Sequence, residues 1–238
     1  INFDHFSRGR QLHHEVPPEK WCITKDDLDF FESEVKCAWL AGKIPDSMEY
    51  SNPFHDDSEI GPSMYQVNTH YIKPTTARAG GMSYALMLHP EGLTCDAFAT
   101  HAWAEGVFEF ITKLRHGWPR DCKHMYICFL ANPQNLDISA LLDVQIQQSP
   151  FARALNTATC VVVIPNQFVG IYSRLWCCYE AYLAYSLNKA ILIPQAKYMV
   201  PWVRKHFIVL ISCWLVGMFI FEVLIESYPE CKLDSPFC

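Results

Sequence analysis

Glu180 has the setting that most needs a chemical explanation. If a helix runs over 172–188, then Trp176, Cys177, Glu180, Leu183, Ala184 and Leu187 share one face, and all but Glu180 are apolar or small. A carboxylate in such a stripe is costly to bury unless it is paired, hydrogen-bonded or protonated. Its pKa is therefore expected to rise unless a cation or donors offset the burial. Groups of that kind serve enzymes as acids, bases or charge stabilisers. The structural alternative is that Glu180 pairs with Arg153 or Arg174, or lies at the edge of the stripe. The pattern leaves both open.

A second group of candidates follows from the elements that must carry them. Residues 94–100 (TCDAFAT), 125–130 (MYICFL), 159–164 (TCVVVI) and 190–193 (AILI) read as strands, the third being the most β-branched run in the chain. Between them, Val107, Phe110, Ile111 and Leu114 repeat at helical spacing, and Ser149-Pro150 opens a helix with Ser as cap and Pro at its first position. Strands alternating with helices imply an α/β fold, a parallel sheet with helices on both faces. Ligands of such sheets sit beyond the carboxyl ends of the strands. That rule selects His101, Trp103 and Glu105 after the first strand, Asn132 and Gln134 after the second, and Asn166 after the third.

Other chemistries lack their spacing. His13-His14 and His55-Asp56-Asp57 do not have the arrangement that puts two ligands on one ion, so no metal site is expected. Cys177 and Cys178 are helix neighbours that point different ways and read as packing thiols. No G-x-S-x-G elbow is present for a serine hydrolase, and Gly80-Gly81 is too little for a phosphate loop.

Ahead of this region, residues 1–94 read as one amphipathic helix over 24–43, capped by Thr24 or Asp26 and stopped by Gly42 and Pro45, and a long irregular wrap over 50–74. Behind it, the run 207–225 is interrupted only by Ser212, Gly217 and Glu222. As a helix it would be roughly 28 Å long, close to the hydrocarbon thickness of a bilayer. It reads as a single membrane span, within a transmembrane segment 202–226 followed by a tail 227–238. Arg204 and Lys205 before it and Glu226 and Glu230 after it place the N-terminal bulk in the cytosol.

Half of the 238 residues are hydrophobic and 18% are charged, which excludes a disordered or fibrous chain. Nineteen basic residues against 25 acidic give a net charge of −6, which argues against a nucleic-acid partner. Eleven cysteines without repeated spacing read as reduced, mostly buried thiols.

The segment Ser173-Arg-Leu-Trp-Cys-Cys-Tyr-Glu180 resembles the S-x-W-C-x-x-E element of Toll/interleukin-1 receptor (TIR) domains, with one extra residue between Ser and Trp. Asp96-Ala-Phe-Ala-Thr-His101 is similar to the opening strand of that family, and 159–165 followed by Tyr172 to its V-V-[LI]-S…Y strand and turn. The resemblance covers 95–196 and is closest to the TIR-like proteins of protist algae, through the phrases HAWAE, SPFA and YSRLWCxYEA. It implies a flavodoxin-like sheet and one of two functions. Some TIR domains cleave NAD at the nicotinamide–ribose bond, which would make Glu180 the catalytic carboxylate. Trp103 and Trp176 would then lie beside the substrate, with His101, Asn132, Gln134 and Asn166 binding it. NAD would be the substrate, and no separate cofactor is implied. Other TIR domains signal by self-association without catalysis, which would make this chain an adaptor or an accessory subunit of a membrane complex. Two departures bear on the choice: ANPQNLDI replaces the R-D-x-x-P-G loop of signalling TIR domains, and the last strand and helix are not found after Ile193. An open pocket holding Glu180, His101 and Trp103 is what the enzyme requires. A filled cleft with Glu180 bonded to Arg153 or Arg174 would exclude the enzyme.

Overall fold

Four short apolar runs, each four residues or fewer, build most of one sheet, and a two-residue strand completes it. The computed structural model describes residues 6–46, 53–137, 145–166 and 169–194, together with Ile211, Ser212, Trp214 and Met218. The strands are β1 (Ile23–Thr24), β2 (Ala97–Thr100), β3 (His124–Ile127), β4 (Cys160–Val163) and β5 (Ala190–Leu192). Their order across the sheet is β1-β3-β2-β4-β5. All pairings are parallel except that of β1 with β3. The chain thus passes from β2 to β3 on one side and then to β4 on the other, so the order reverses between β2 and β4.

The helices are α1 (Ser7–Glu15), α2 (Lys25–Leu40), α3 (Met64–Val67), α4 (Lys73–Arg78), α5 (Tyr84–Leu88), α6 (Val107–Gly117), α7 (Cys128–Ala131), α8 (Pro150–Thr157) and α9 (Leu175–Ser186). Strand side chains alternate between faces, and the two sets meet different helices. Ala97, Ala99, Met125, Ile127 and Val162 pack with Leu28, Phe31 and Val35 of α2 and with Phe110, Ile111 and Leu114 of α6. Phe98, Tyr126, Val161 and Val163 pack with Phe151, Ala154 and Leu155 of α8 and with Cys177 and Ala184 of α9. Each fully buried aromatic or aliphatic side chain here is worth about 1.5–3 kcal/mol.

The local signals explain the element ends. Thr24 caps α2 in a reciprocal box with Asp27, which settles the choice between Thr24 and Asp26. Ser149 caps α8 by accepting from the Ala152 backbone N–H. Lys189, at the entry to β5, donates from Nζ to the carbonyls of Asn156 (2.7 Å) and Ala158 (2.6 Å) as α8 ends. A cation there also meets the negative end of the helix dipole.

Two expectations change. The stretch 50–74, expected to be irregular, holds α3, a π-helical turn at Asn68–Ile72 and the start of α4. Residues 128–130, expected to continue the second strand, turn into α7, because an apolar run of that length suits a buried strand or a buried helical turn equally.

The chain divides into two compact units, Ile1–Gln195, which holds the sheet, and Ala196–Cys238. Residues 1–94 thus belong to the same unit as the sheet. Among the described residues no helix is long and apolar enough to cross a membrane. The expected span and tail lie outside the described residues, apart from Ile211, Ser212, Trp214 and Met218, which are helical and exposed.

Candidate functional site at the carboxyl edge of β2

β2 ends in Thr100, and α9 carries Glu180 across it. The Thr100 hydroxyl donates to Glu180 Oε2 at 2.5 Å. Glu180 is 5% exposed, and burial pushes its carboxyl up to about 7, against the opposing effects of the Thr100 hydrogen bond and the Arg174 charge. Of the two arginines expected as partners, neither makes an ion pair with it. Arg153 pairs with Glu19 at 2.8 Å, and Arg174 donates from Nη1 to the His101 carbonyl at 3.3 Å. The Arg174 guanidinium lies 5.6 Å from the Trp103 ring centre, in cation–π contact.

His101 is the next residue along and is 2% exposed. Its Nδ1 lies 2.7 Å from Glu105 Oε1 and its Nε2 lies 3.2 Å from Cys128 Sγ. The Trp103 indole N–H donates to the same sulfur at 3.3 Å, and the Cys177 thiol donates to the His101 carbonyl at 3.3 Å. Desolvation, helped by the Arg174 charge, lowers His101 to about 3 and so keeps it neutral. Burial and the neighbouring Glu109 raise Glu105 well above the usual carboxylate range; Lys113, Asn166 and Arg174 oppose that shift without reversing it.

Cys128, His101 and Glu105 thus stand in the order of nucleophile, base and orienting acid. The electrostatics are those of a fastener instead. Burial pushes the Cys128 thiol up to about 12 and the indole N–H already occupies its sulfur, so no thiolate is available at neutral pH.

The remaining candidates fall into separate groups. Asn166 faces Glu105, while its Oδ1 accepts from the Val169 N–H at 2.6 Å. Asn132 is buried and accepts the Tyr126 hydroxyl proton at 2.7 Å; Gln134 bonds the Asn132 carbonyl and accepts from Asn68. Trp176 is turned toward α8, where it stacks on Phe151 at 4.8 Å between ring centres. The structure therefore brings Glu180, His101 and Trp103 together, puts Asn166 beside Glu105, and uses Asn132, Gln134 and Trp176 for internal packing.

Sequence reasoning did not find Thr100, Cys128 or the Glu109–Lys113 pair as parts of this edge. His101, Glu105, Glu109 and Lys113 succeed one another at intervals of four, and that spacing was the available signal. Lys113 Nζ bonds Glu109 at 2.5 Å and the Pro165 carbonyl at 2.7 Å, which ties α6 to the loop after β4.

The cavities beside His13 and Trp21, beside Lys25 and Trp118, and beside Tyr71 and Arg78 are not lined by Glu180, His101 or Trp103. Among the described residues, no cluster of three or more His, Cys, Asp or Glu could hold a metal ion. No family model matches the chain, nor does any curated protein or solved structure.

Proposed function

We propose that this chain is a TIR-like α/β module that acts by association with a second copy of itself, with 207–225 as its membrane tether and Glu180 as an internal fastener. Support for the TIR-like reading comes from strand order. With the antiparallel β1 set aside, β3-β2-β4-β5 is the 2-1-3-4 portion of the flavodoxin-like order 2-1-3-4-5. Glu180, contributed by the W-C-x-x-E segment, stands at the point where that order reverses. Support for the tether comes from the apolar run itself and from the exposure of Ile211, Trp214 and Met218.

The observation that carries the association reading is the set of large apolar side chains exposed on α9 and on β5. Leu175, Tyr182 and Tyr185 are 85%, 66% and 81% exposed. Ile191 and Leu192, on a strand at the edge of the sheet, are also exposed. Parallel sheets are ordinarily covered on both faces, and an open apolar edge is a template for another strand. A second copy, related by a twofold axis, presents that same face, and tethering both copies to one bilayer raises their effective concentration.

A second reading rests on Glu180 alone. A carboxyl raised to about 7 at the reversal point is the kind of group that stabilises an oxocarbenium-like transition state, as NAD cleavage requires.

One preparation tests both readings: the full chain in mild detergent, examined by sedimentation and by nicotinamide release from NAD. The expected outcome is a dimer that Tyr182→Glu with Tyr185→Glu converts to monomer at an unchanged melting temperature, and no nicotinamide release. A folded wild-type chain that stays monomeric at high concentration overturns the association reading. Release that disappears in Glu180→Gln establishes the catalytic one.

A further inference from the structure

Two cysteines far apart in sequence meet at the amino edge of the sheet. Cys122 shortly precedes the β3 residue Met125, and Cys160 opens β4. These strands are not neighbours, because β2 stands between them and its Ala97 pairs with both Met125 and Cys160. Ala97 carries only a methyl group, and Cys122, Ala97 and Cys160 belong to one buried face. The two sulfurs meet at 3.9 Å, and both thiols are free.

Asp96 holds both sides of this pair. Its Oδ2 accepts from the backbone N–H groups of Lys123 (2.8 Å) and His124 (3.0 Å), directly after Cys122. Its backbone carbonyl accepts from the N–H and the hydroxyl of Thr159, each at 2.8 Å, directly before Cys160. The Trp118 indole N–H donates to the Cys122 carbonyl at 2.8 Å. Two reactants pinned next to each other react as if at high concentration, and what remains is closure to the about 2.05 Å of an S–S bond.

The two thiols are not equivalent. Cys122 lines a cavity of about 360 Å³ with Thr24, Trp118 and Lys123. Burial and the adjacent Cys122 push the Cys160 thiol up to about 11, so it keeps its proton at neutral pH. A second thiol pair, Cys22 with Cys95, sits deeper. Those residues are 1% and 2% exposed, against 9% and 6% for Cys122 and Cys160.

We propose that Cys122 and Cys160 form a redox modification site, which a small peroxide converts to a disulfide. The Cys122 sulfur attacks one oxygen of hydrogen peroxide, the O–O bond breaks, and the other oxygen leaves as water, which makes Cys122 a sulfenic acid. The Cys160 sulfur then attacks that of Cys122. The S–S bond forms, the S–O bond breaks, and the hydroxyl leaves with the Cys160 proton as a second water. Two thiols are thus oxidised by two electrons and one peroxide is reduced to two waters. The product ties the entry of β3 to the start of β4 across β2, and thiol exchange reverses it.

The test is treatment of the reduced full chain, in mild detergent, with hydrogen peroxide, followed by alkylation of remaining thiols and mass spectrometry of a digest made without reductant. The peptides of Cys122 and Cys160 should be recovered as one linked species that dithiothreitol separates, with Cys22 and Cys95 still alkylated after denaturation. Because the bond closes a loop of 38 residues, the linked chain should melt at least about 5 °C higher and return to its starting value on reduction. Cys160→Ala should abolish that reversible rise, and Glu180→Gln should leave it unaltered, which separates this site from the one at the other edge of β2. The proposal is overturned if both thiols of the folded wild-type chain remain free, if Cys122 passes to sulfinic or sulfonic acid without a linked peptide, if either cysteine is joined to a different one, or if the rise persists in Cys160→Ala.

Discussion

At the scale of the residue, burial shifts ionisable groups at the edge of β2 toward their neutral forms, and the two central groups pull stability in opposite directions with pH. Glu180 titrates near 4.5 in the unfolded chain and about 7 in the folded one. The folded state holds the extra proton between those values, so the Glu180 contribution is complete below about 4.5 and declines as pH rises toward 7, by about 3 kcal/mol. His101, lowered to about 3, contributes fully above 6.5 and loses that contribution as pH falls. Between about 4.5 and 6.5 the two slopes offset. Glu180→Gln keeps an acceptor for the Thr100 hydroxyl and removes the titration. The variant should therefore match wild type near pH 4 and exceed it above pH 7, by up to about 3 kcal/mol in urea unfolding. A variant whose profile parallels wild type from pH 4 to 8 would show that Glu180 is not buried as an acid.

The readable part of this site was its local part. Glu180 declared itself by its place in an apolar stripe, and His101 by following a strand. Thr100, 80 residues away from Glu180 in the chain, became its partner only because β2 and α9 meet in the fold. The pairing of Arg174 with the His101 carbonyl was equally invisible, since nothing in sequence prefers a carbonyl over the expected carboxylate.

At the scale of the element, α1 is held by a backbone contact that admits no side chain. The Gly9 N–H donates to the Gly80 carbonyl at 3.0 Å, and a Cβ at Gly9 would stand 2.6 Å from that oxygen and 2.6 Å from the Met82 nitrogen. In an isolated helix Gly→Ala gains about 1 kcal/mol. Here Gly9→Ala should instead destabilise by about 1–3 kcal/mol, because the obstructing atoms are backbone and cannot swing away. Chemical denaturation gives the sign, and a gain in stability would mean that α1 does not dock as described. α6, α8 and β4 were legible because periodicity, a Ser-Pro start and a β-branched run act locally. α3 and α5 were not, since four or five residues carry no period. Their signal was the cap: Ser63 with Gln66 three residues on, and Ser83 accepting from the Leu86 N–H.

At the scale of the whole molecule, the parallel sheet is unevenly invested. β2 and β4 are buried along their whole length, whereas every residue of β5 is exposed. β5 is kept in place by its ladder to β4 and by the Lys189 ammonium on the end of α8. Contacts of that kind can open without disturbing the core, because little apolar surface is released or regained when they do. The sheet is thus graded, with a permanent interior strand at the Glu180 edge and a detachable one at the rim. Backbone amides of β5 should exchange with deuterated solvent well before those of β2, and adding a second copy should slow the first set while leaving the other alone. The rim strand then reports on partnership in time, by how long its amides survive, as well as in space.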